Sequence, residues 1–158
     1  MIVAAMRSIP RCFLLAFALL ATPALTVEAP DWAVAVLPSG DEFSLEIAAD
    51  PESRRLGYMY REKVGPSEGM LFLFDTSAHH AIWMRNCKTS LDIVWLDETF
   101  RVQEIAHDQQ PCPDGGDCRS IFPLRPARYV LEVAGGTARR EGLARGDQVV
   151  ILSEPALQ

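Results

Sequence analysis

The sequence lacks the patterns on which most recognisable active sites depend. It has only 3 histidines, and no pair of Cys or His residues has the spacing that a zinc site requires. No glycine-rich segment has the spacing of a phosphate-binding P-loop, and no nucleophile stands beside an obvious general base. These absences favour a binding protein over an enzyme, and no motif predicts a cofactor.

Positive charge is also scarce. The chain has 15 Lys and Arg against 21 Asp and Glu, which gives a formal net charge of −6. Nucleic acids and anionic membranes attract clustered Lys and Arg, and no such cluster follows residue 24. We therefore expect no nucleic-acid partner. An unknown small molecule or protein is the expected partner.

Long apolar runs are missing except near the N-terminus. Arg7 and Arg11 precede an apolar run at 13–21, and small residues follow it at 22–24. This order is typical of a secretory signal peptide, and the run is shorter than the roughly 20 residues that span a bilayer. We predict a signal peptide over residues 1–24, no stable membrane anchor after cleavage, and a periplasmic or secreted protein.

Cysteines are few: 4 in the chain, of which Cys87, Cys112 and Cys118 follow the predicted signal peptide. An oxidising compartment permits disulfides, and two glycines lie between Cys112 and Cys118. We predict a Cys112–Cys118 bridge, which would stabilise the fold by about 2 kcal/mol. A bridge from Cys87 to either of the other two is the alternative.

Short apolar runs between turn residues predict a mainly β (α+β) domain. Phe43, Leu45 and Ile47 alternate with polar residues as in a half-buried strand, and they form a hairpin with the predicted strand 32–37. Asp50 and Pro51 have the residue types that begin a helix. Further strands are predicted at 70–74, 80–85, 91–96, 100–105, 128–133 and 147–152, and a second short helix after residue 136. The whole predicts a small closed or nearly closed β-barrel-like domain with two short helices.

The length after residue 24 suits one domain. We place an N-terminal segment with the first strand at 25–41, a single domain at 42–152 and a C-terminal tail at 153–158.

Six motifs occur in order along that domain. They are R-x-x-G-Y-M-Y-R at 54–61, G-M-L-F-L-F at 69–74, W-M-R-N at 83–86, L-D at 91–92, A-R-Y-V-L-E at 127–132 and G-x-x-x-G-D at 142–147. Together they resemble the domain-of-unknown-function 192 family over nearly all of 42–152. The resemblance implies a small β-rich domain, often exported from bacteria, with no established activity. Cys87 and Tyr58 depart from the family pattern, which more often has Thr and Leu there.

The densest mixture of aromatic, Met and polar residues predicts a binding surface. Aromatic walls with a few polar anchors are typical of small-ligand sites. We predict a non-catalytic binding or accessory domain, with ligand-binding candidates Met59, Tyr60, Trp83, Arg85, Asn86 and Asp92.

Two alternatives stay open. Thioether, imidazole and thiolate ligands suit copper(I), and the candidates for such a site are Met59, Met84, His79, His80 and Cys87. A hydrolase would instead use Cys87 as its nucleophile, activated by a histidine that is near in space.

Overall fold

The computed structural model describes residues 32–112 and 115–152. The predicted signal peptide, its cleavage site and the tail at 153–158 lie outside these residues. Within the described ranges, no helix has both the length and the apolar character needed to cross a bilayer.

The described residues form seven strands and two short helices. The strands are β1 (Trp32–Val36), β2 (Glu42–Ala48), β3 (Glu68–Ala78), β4 (Leu91–Leu96), β5 (Val102–Gln109), β6 (Ala127–Ala134) and β7 (Val150–Leu152). The helices are α1 (Pro51–Leu56) and α2 (Thr137–Arg140). The prediction of a mainly β, α+β domain with two short helices is confirmed.

All seven strands belong to one curled sheet, in the order β5-β4-β6-β3-β2-β1-β7. The pair β2 and β3, which α1 connects, is parallel, and the other pairs are antiparallel. Backbone hydrogen bonds of 2.8–3.0 Å link residues 100–102, where β5 begins, to residues 146–149, which precede β7. The two edges of the sheet therefore meet, as the predicted barrel-like shape requires.

Both faces of the central strands are buried, each in its own apolar cluster. Leu71 and Leu131 point into the first cluster, while their neighbours Phe72 and Val130 point into the second. Residues 79–90 and the turn after α1 cover the second cluster, to which they contribute Tyr58, Ile82, Met84 and Cys87. This double burial explains why β4 is apolar almost throughout.

One predicted strand and several strand boundaries differ from the structure. Residues 80–85 form no strand. Two of them make isolated bridges to distant residues, Ile82 to Ile121 and Arg85 to Cys112. Buried and exposed side chains alternate there as in a strand, but the partner is an irregular loop. The last strand begins at residue 150 and not at 147, because the preceding residues pair with the start of β5. β3 and β5 run to residues 78 and 109, beyond their predicted ends.

The predicted Cys112–Cys118 disulfide is present, with Cα atoms 5.7 Å apart. Cys87 is a buried free thiol. The alternative pairings that include Cys87 are therefore wrong.

Candidate functional site

A cavity of about 340 Å³ lies on the second, outer face of the sheet. Its walls come from α1 and the turn after it, from β3, and from residues 81–87 and 120. Glu132 of β6 contributes a carboxyl group to the lining. A volume near the lower end of the range for ligand sites suits a small molecule.

The turn over this cavity depends on Asp50 and Gly57. The Asp50 carboxylate accepts hydrogen bonds from the amides of Glu52 (2.8 Å) and Ser53 (3.0 Å), which fixes the start of α1. Gly57 ends the helix with φ 46°, and a Cβ atom there would lie 3.3 Å from the Phe72 ring. Glycine thus permits the chain to turn closely over the floor of the cavity.

Glu132 is the unusual group in the cavity because it is a buried acid that no described residue pairs with. Its side chain is 3% exposed, and its neighbours in register on the adjacent strands are Met70 and Ile93. No hydrogen bond from any described residue reaches its carboxyl group. Burial raises the pKa of Glu132 to about 8, so at pH 7 the carboxyl group is mostly protonated.

Two further ionisable groups share the cavity with Glu132. Burial, reinforced by the nearby Glu132 charge, raises the pKa of the Cys87 thiol to about 11. The same causes, in the same order, raise the pKa of Tyr58. At neutral pH both groups are uncharged. A thiol in this state is a poor nucleophile, and no histidine occurs among the described residues that line the cavity.

Two arginines also line the cavity, and each is held by other groups. Arg54 donates 2.8 Å to the carbonyl of Leu73, and its guanidinium lies 5.3 Å from the ring centre of Phe74. Arg55 forms two hydrogen bonds with the carboxylate of Glu52, at 2.6 and 2.9 Å. Neither guanidinium bonds to Glu132.

Four of the predicted site residues form what we call the rim: Tyr60, Trp83, Arg85 and Asn86. The side-chain amide of Asn86 donates 2.6 Å to the Tyr60 hydroxyl. The Arg85 guanidinium lies 4.8 Å from the ring centre of Trp83. Trp83 itself lines the cavity, as does the fifth predicted residue, Met59. The structure thus places five of the six predicted residues in or beside one cavity.

The sixth predicted residue, Asp92, lies elsewhere, and its assignment to the binding surface is corrected. It is fully buried, and its two oxygens accept hydrogen bonds from the amides of Asp108 (2.6 Å) and Ala138 (2.7 Å). Both oxygens are therefore engaged in fixing β5 and α2 to β4. Asp92 does not belong to the binding surface.

Among the side chains suggested for copper(I), each histidine has one ring nitrogen engaged with a backbone carbonyl. His79 Nδ1 lies 2.8 Å from the carbonyl of Pro123, and His80 Nε2 lies 2.9 Å from that of Thr76. Met84 is buried in the second cluster. In the described part of the chain, no group of three or more His, Cys, Asp and Glu side chains is arranged to hold a metal ion.

Sequence reasoning did not select Glu132 as a site residue. Glu132 shares a face of its predicted strand with Val130, but the sequence does not reveal that this face is covered. An acid within a strand that is apolar on both faces is a signal that could have identified Glu132 as a site residue. An unpaired charge at such a position costs free energy of folding.

Comparison with known proteins gives a family and a fold. A family model described as an uncharacterized ACR, DUF192, matches residues 34–151. A protein of Sinorhizobium meliloti described as a "putative transcription regulator" shares 30% identity and a TM-score of 0.68, over 76% of this chain and 92% of its own. A Novosphingobium aromaticivorans protein of unknown function shares 32% identity and a TM-score of 0.67, over 75% and 83%. No curated protein matches the sequence. The chain belongs to the DUF192 family.

Proposed function

We propose that this chain is a non-catalytic domain that binds a small molecule in the cavity below α1. The observation that carries the proposal is the Glu132 carboxyl group, which is buried in an otherwise largely apolar and aromatic lining and has no partner among the described residues. A buried polar group of this kind costs free energy unless it is bonded. Proteins retain such groups where a ligand uses them.

The uncharged state of Cys87 supports binding over hydrolysis. A cysteine hydrolase needs a thiolate and a base within hydrogen-bond reach. Here burial raises the thiol pKa to about 11, and the described lining contains no histidine.

A fragment screen by NMR tests the proposal, with Ala81→Trp as the variant that closes the cavity. Ala81 is exposed and lines the cavity, so an indole ring there can fill the mouth without disturbing the core. We expect fragments that bind the native protein to lose at least about tenfold in affinity in this variant, which corresponds to about 1.4 kcal/mol.

Ala144→Trp is the matched control. Ala144 is also exposed, but it lines a second, separate depression of about 450 Å³. Fragment binding should survive this change. Hits that resist Ala81→Trp, or that disappear equally in both variants, would contradict a ligand site in the first cavity.

A role on DNA is the competing proposal that the Sinorhizobium protein suggests. The net charge of −6 opposes it, because non-specific affinity for DNA comes mainly from Lys and Arg at phosphates. A mobility-shift assay at low salt distinguishes the two: we expect no shift of a mixed-sequence duplex.

We also propose that the domain acts after export. The signal-like residues 1–24 support this location. Expression of the full chain in a bacterium, followed by fractionation and N-terminal sequencing, provides the test. We expect periplasmic protein that begins at Leu25; an intact N-terminus in the cytoplasm would contradict export.

A further inference from the structure

We propose that the ligand carries a protonated amine, which forms an ion pair with Glu132 at the floor of the cavity. This inference rests on the proposed function and adds the chemical class of the ligand. It also assigns a role to Glu132 that a purely structural residue would not have.

The Glu132 carboxyl group itself favours a cation over an anion. The two guanidinium groups in the lining already have partners, since Arg54 Nη1 donates to the carbonyls of Ala49 and Leu73 and Arg55 pairs with the Glu52 carboxylate. A cation finds a carboxyl group that no described residue neutralises. The excess of acidic residues over the whole chain also attracts cations and repels anions.

The walls of the cavity agree with an organic amine. Aromatic rings from Tyr58, Phe72, Phe74 and Trp83 line it, and arginine guanidinium groups lie over all of these except Phe72. The Phe72 ring lies beside Glu132 at Gly57, and ring faces attract ammonium groups electrostatically. The lining also includes Met59 and Ile82, which suit an apolar substituent. Among the described lining residues, a bare metal ion would find a single carboxylate. An alkyl or aryl ammonium ion satisfies both the charge and the apolar surface.

Binding of such a ligand must release a proton. Before binding, the buried Glu132 is mostly protonated at pH 6.5, and in the complex it is ionised beside the ammonium group. The other ionisable groups in the lining with raised pKa values do not titrate in this range, since Tyr58 and Cys87 keep their protons and Arg55 keeps its charge. About one proton per bound amine is therefore expected to leave.

Isothermal titration with three matched probes tests the inference: benzylamine, benzyl alcohol and benzoate. Titrations at pH 6.5 in two buffers of different ionisation enthalpy count the protons released. We expect benzylamine to bind at least about tenfold more tightly than the other two probes, because hydrogen bonds between charged groups are the strong ones. Only benzylamine should release a proton.

Glu132→Gln keeps the shape of the side chain but removes its charge. We expect it to weaken benzylamine at least about tenfold and to abolish the release of a proton, while benzyl alcohol binds as before. Glu98→Gln, at an exposed turn position, is the control and should change neither quantity. Circular dichroism of each variant establishes that the fold is intact.

The outcomes separate this inference from the proposed function. If benzyl alcohol or benzoate binds as tightly as benzylamine, and Ala81→Trp abolishes that binding, the cavity is a ligand site but the amine class is wrong. If benzylamine binds equally well to Glu132→Gln, or no benzylamine binding is found, the amine inference is also wrong. If no fragment binds in the cavity of the native protein, both proposals are wrong.

Discussion

Tyr60 and Asn86 hold each other in left-handed backbone conformations, with φ of 65° and 55°. The Tyr60 amide donates 2.8 Å to the Asn86 carbonyl, and the Asn86 side chain returns a bond of 2.6 Å to the Tyr60 hydroxyl. These two bonds join the turn after α1 to residues 83–87. Left-handed residues other than glycine are costly and cluster at functional sites, so the pair fixes the rim beside the cavity.

Substitutions at Asn86 separate backbone strain from the side-chain bond. Asn86→Ala loses the bond to Tyr60 and places an unfavourable residue in the left-handed region, which costs about 1–2 kcal/mol. Asn86→Gly loses the same bond but relieves the strain. In urea denaturation we expect Asn86→Gly to be the more stable of the two. Equal stabilities would show that the backbone conformation relaxes when the bond is lost.

Glu132 should make the stability of the fold depend on pH. Its pKa is raised from 4.5 to about 8 in the folded protein by burial, so the folded state binds the proton more tightly than the unfolded state. The contribution is fully present below pH 4.5, declines as pH rises, and is lost above pH 8. The loss should be on the order of 5 kcal/mol.

Glu132→Gln removes this titration, and the free energy of unfolding measured from pH 5 to pH 9 checks it. We expect the variant to gain stability over the native protein as pH rises, and to equal or exceed it at pH 9. Glu98→Gln, the exposed control, should keep the native slope. A Glu132→Gln profile parallel to the native one would show that the carboxyl group is not desolvated.

Asp92 should matter for stability and not for binding. Asp92→Asn places an N–H group against the amides of Asp108 and Ala138, which now donate 2.6 and 2.7 Å bonds to the carboxylate. Loss of charged acceptors for buried amides costs about 3 kcal/mol. Thermal unfolding measures the effect, and exposed Asp75→Asn is the control that should change little. A change in fragment affinity without a change in stability would restore Asp92 to the binding surface.

The alternation of apolar and polar residues was enough to predict most of the fold. The strand at 43–47, its hairpin and the helix after Asp50 follow from local periodicity and capping. Residues 80–85 carry the same alternation, yet their partners, Ile121 and Cys112, lie far along the chain in an irregular loop. Periodicity reports which side chains are buried. It does not report what covers them.

The lining of the candidate cavity could be predicted only in part, because periodicity does not show which distant residues come together. The rim residues are close in sequence and include the aromatic and polar types of a binding surface, so composition pointed to them. Glu132 lies 46 residues after Asn86 and is brought to the cavity only by the pairing of β6 with β3 and β4. Asp92 was assigned to the wrong role because a polar residue between apolar neighbours can either bind a ligand or accept hydrogen bonds from the backbone. The sequence does not distinguish these two roles, and the contacts in the structure do.

Reactivity of the Cys87 thiol tests the distinction between binding and catalysis. The side chain is 6% exposed and burial raises its pKa to about 11. Compared with an ordinary thiol of pKa near 8.5, the fraction of thiolate at pH 7.5 is roughly 300-fold lower. Iodoacetamide should therefore modify Cys87 far more slowly in the native protein than in urea. Mass spectrometry of the peptide, without reduction of the Cys112–Cys118 bridge, measures both rates. Alkylation of the native protein as fast as that of the unfolded chain would indicate an accessible, activated thiolate. That result would support the hydrolase alternative, which the buried, uncharged thiol argues against.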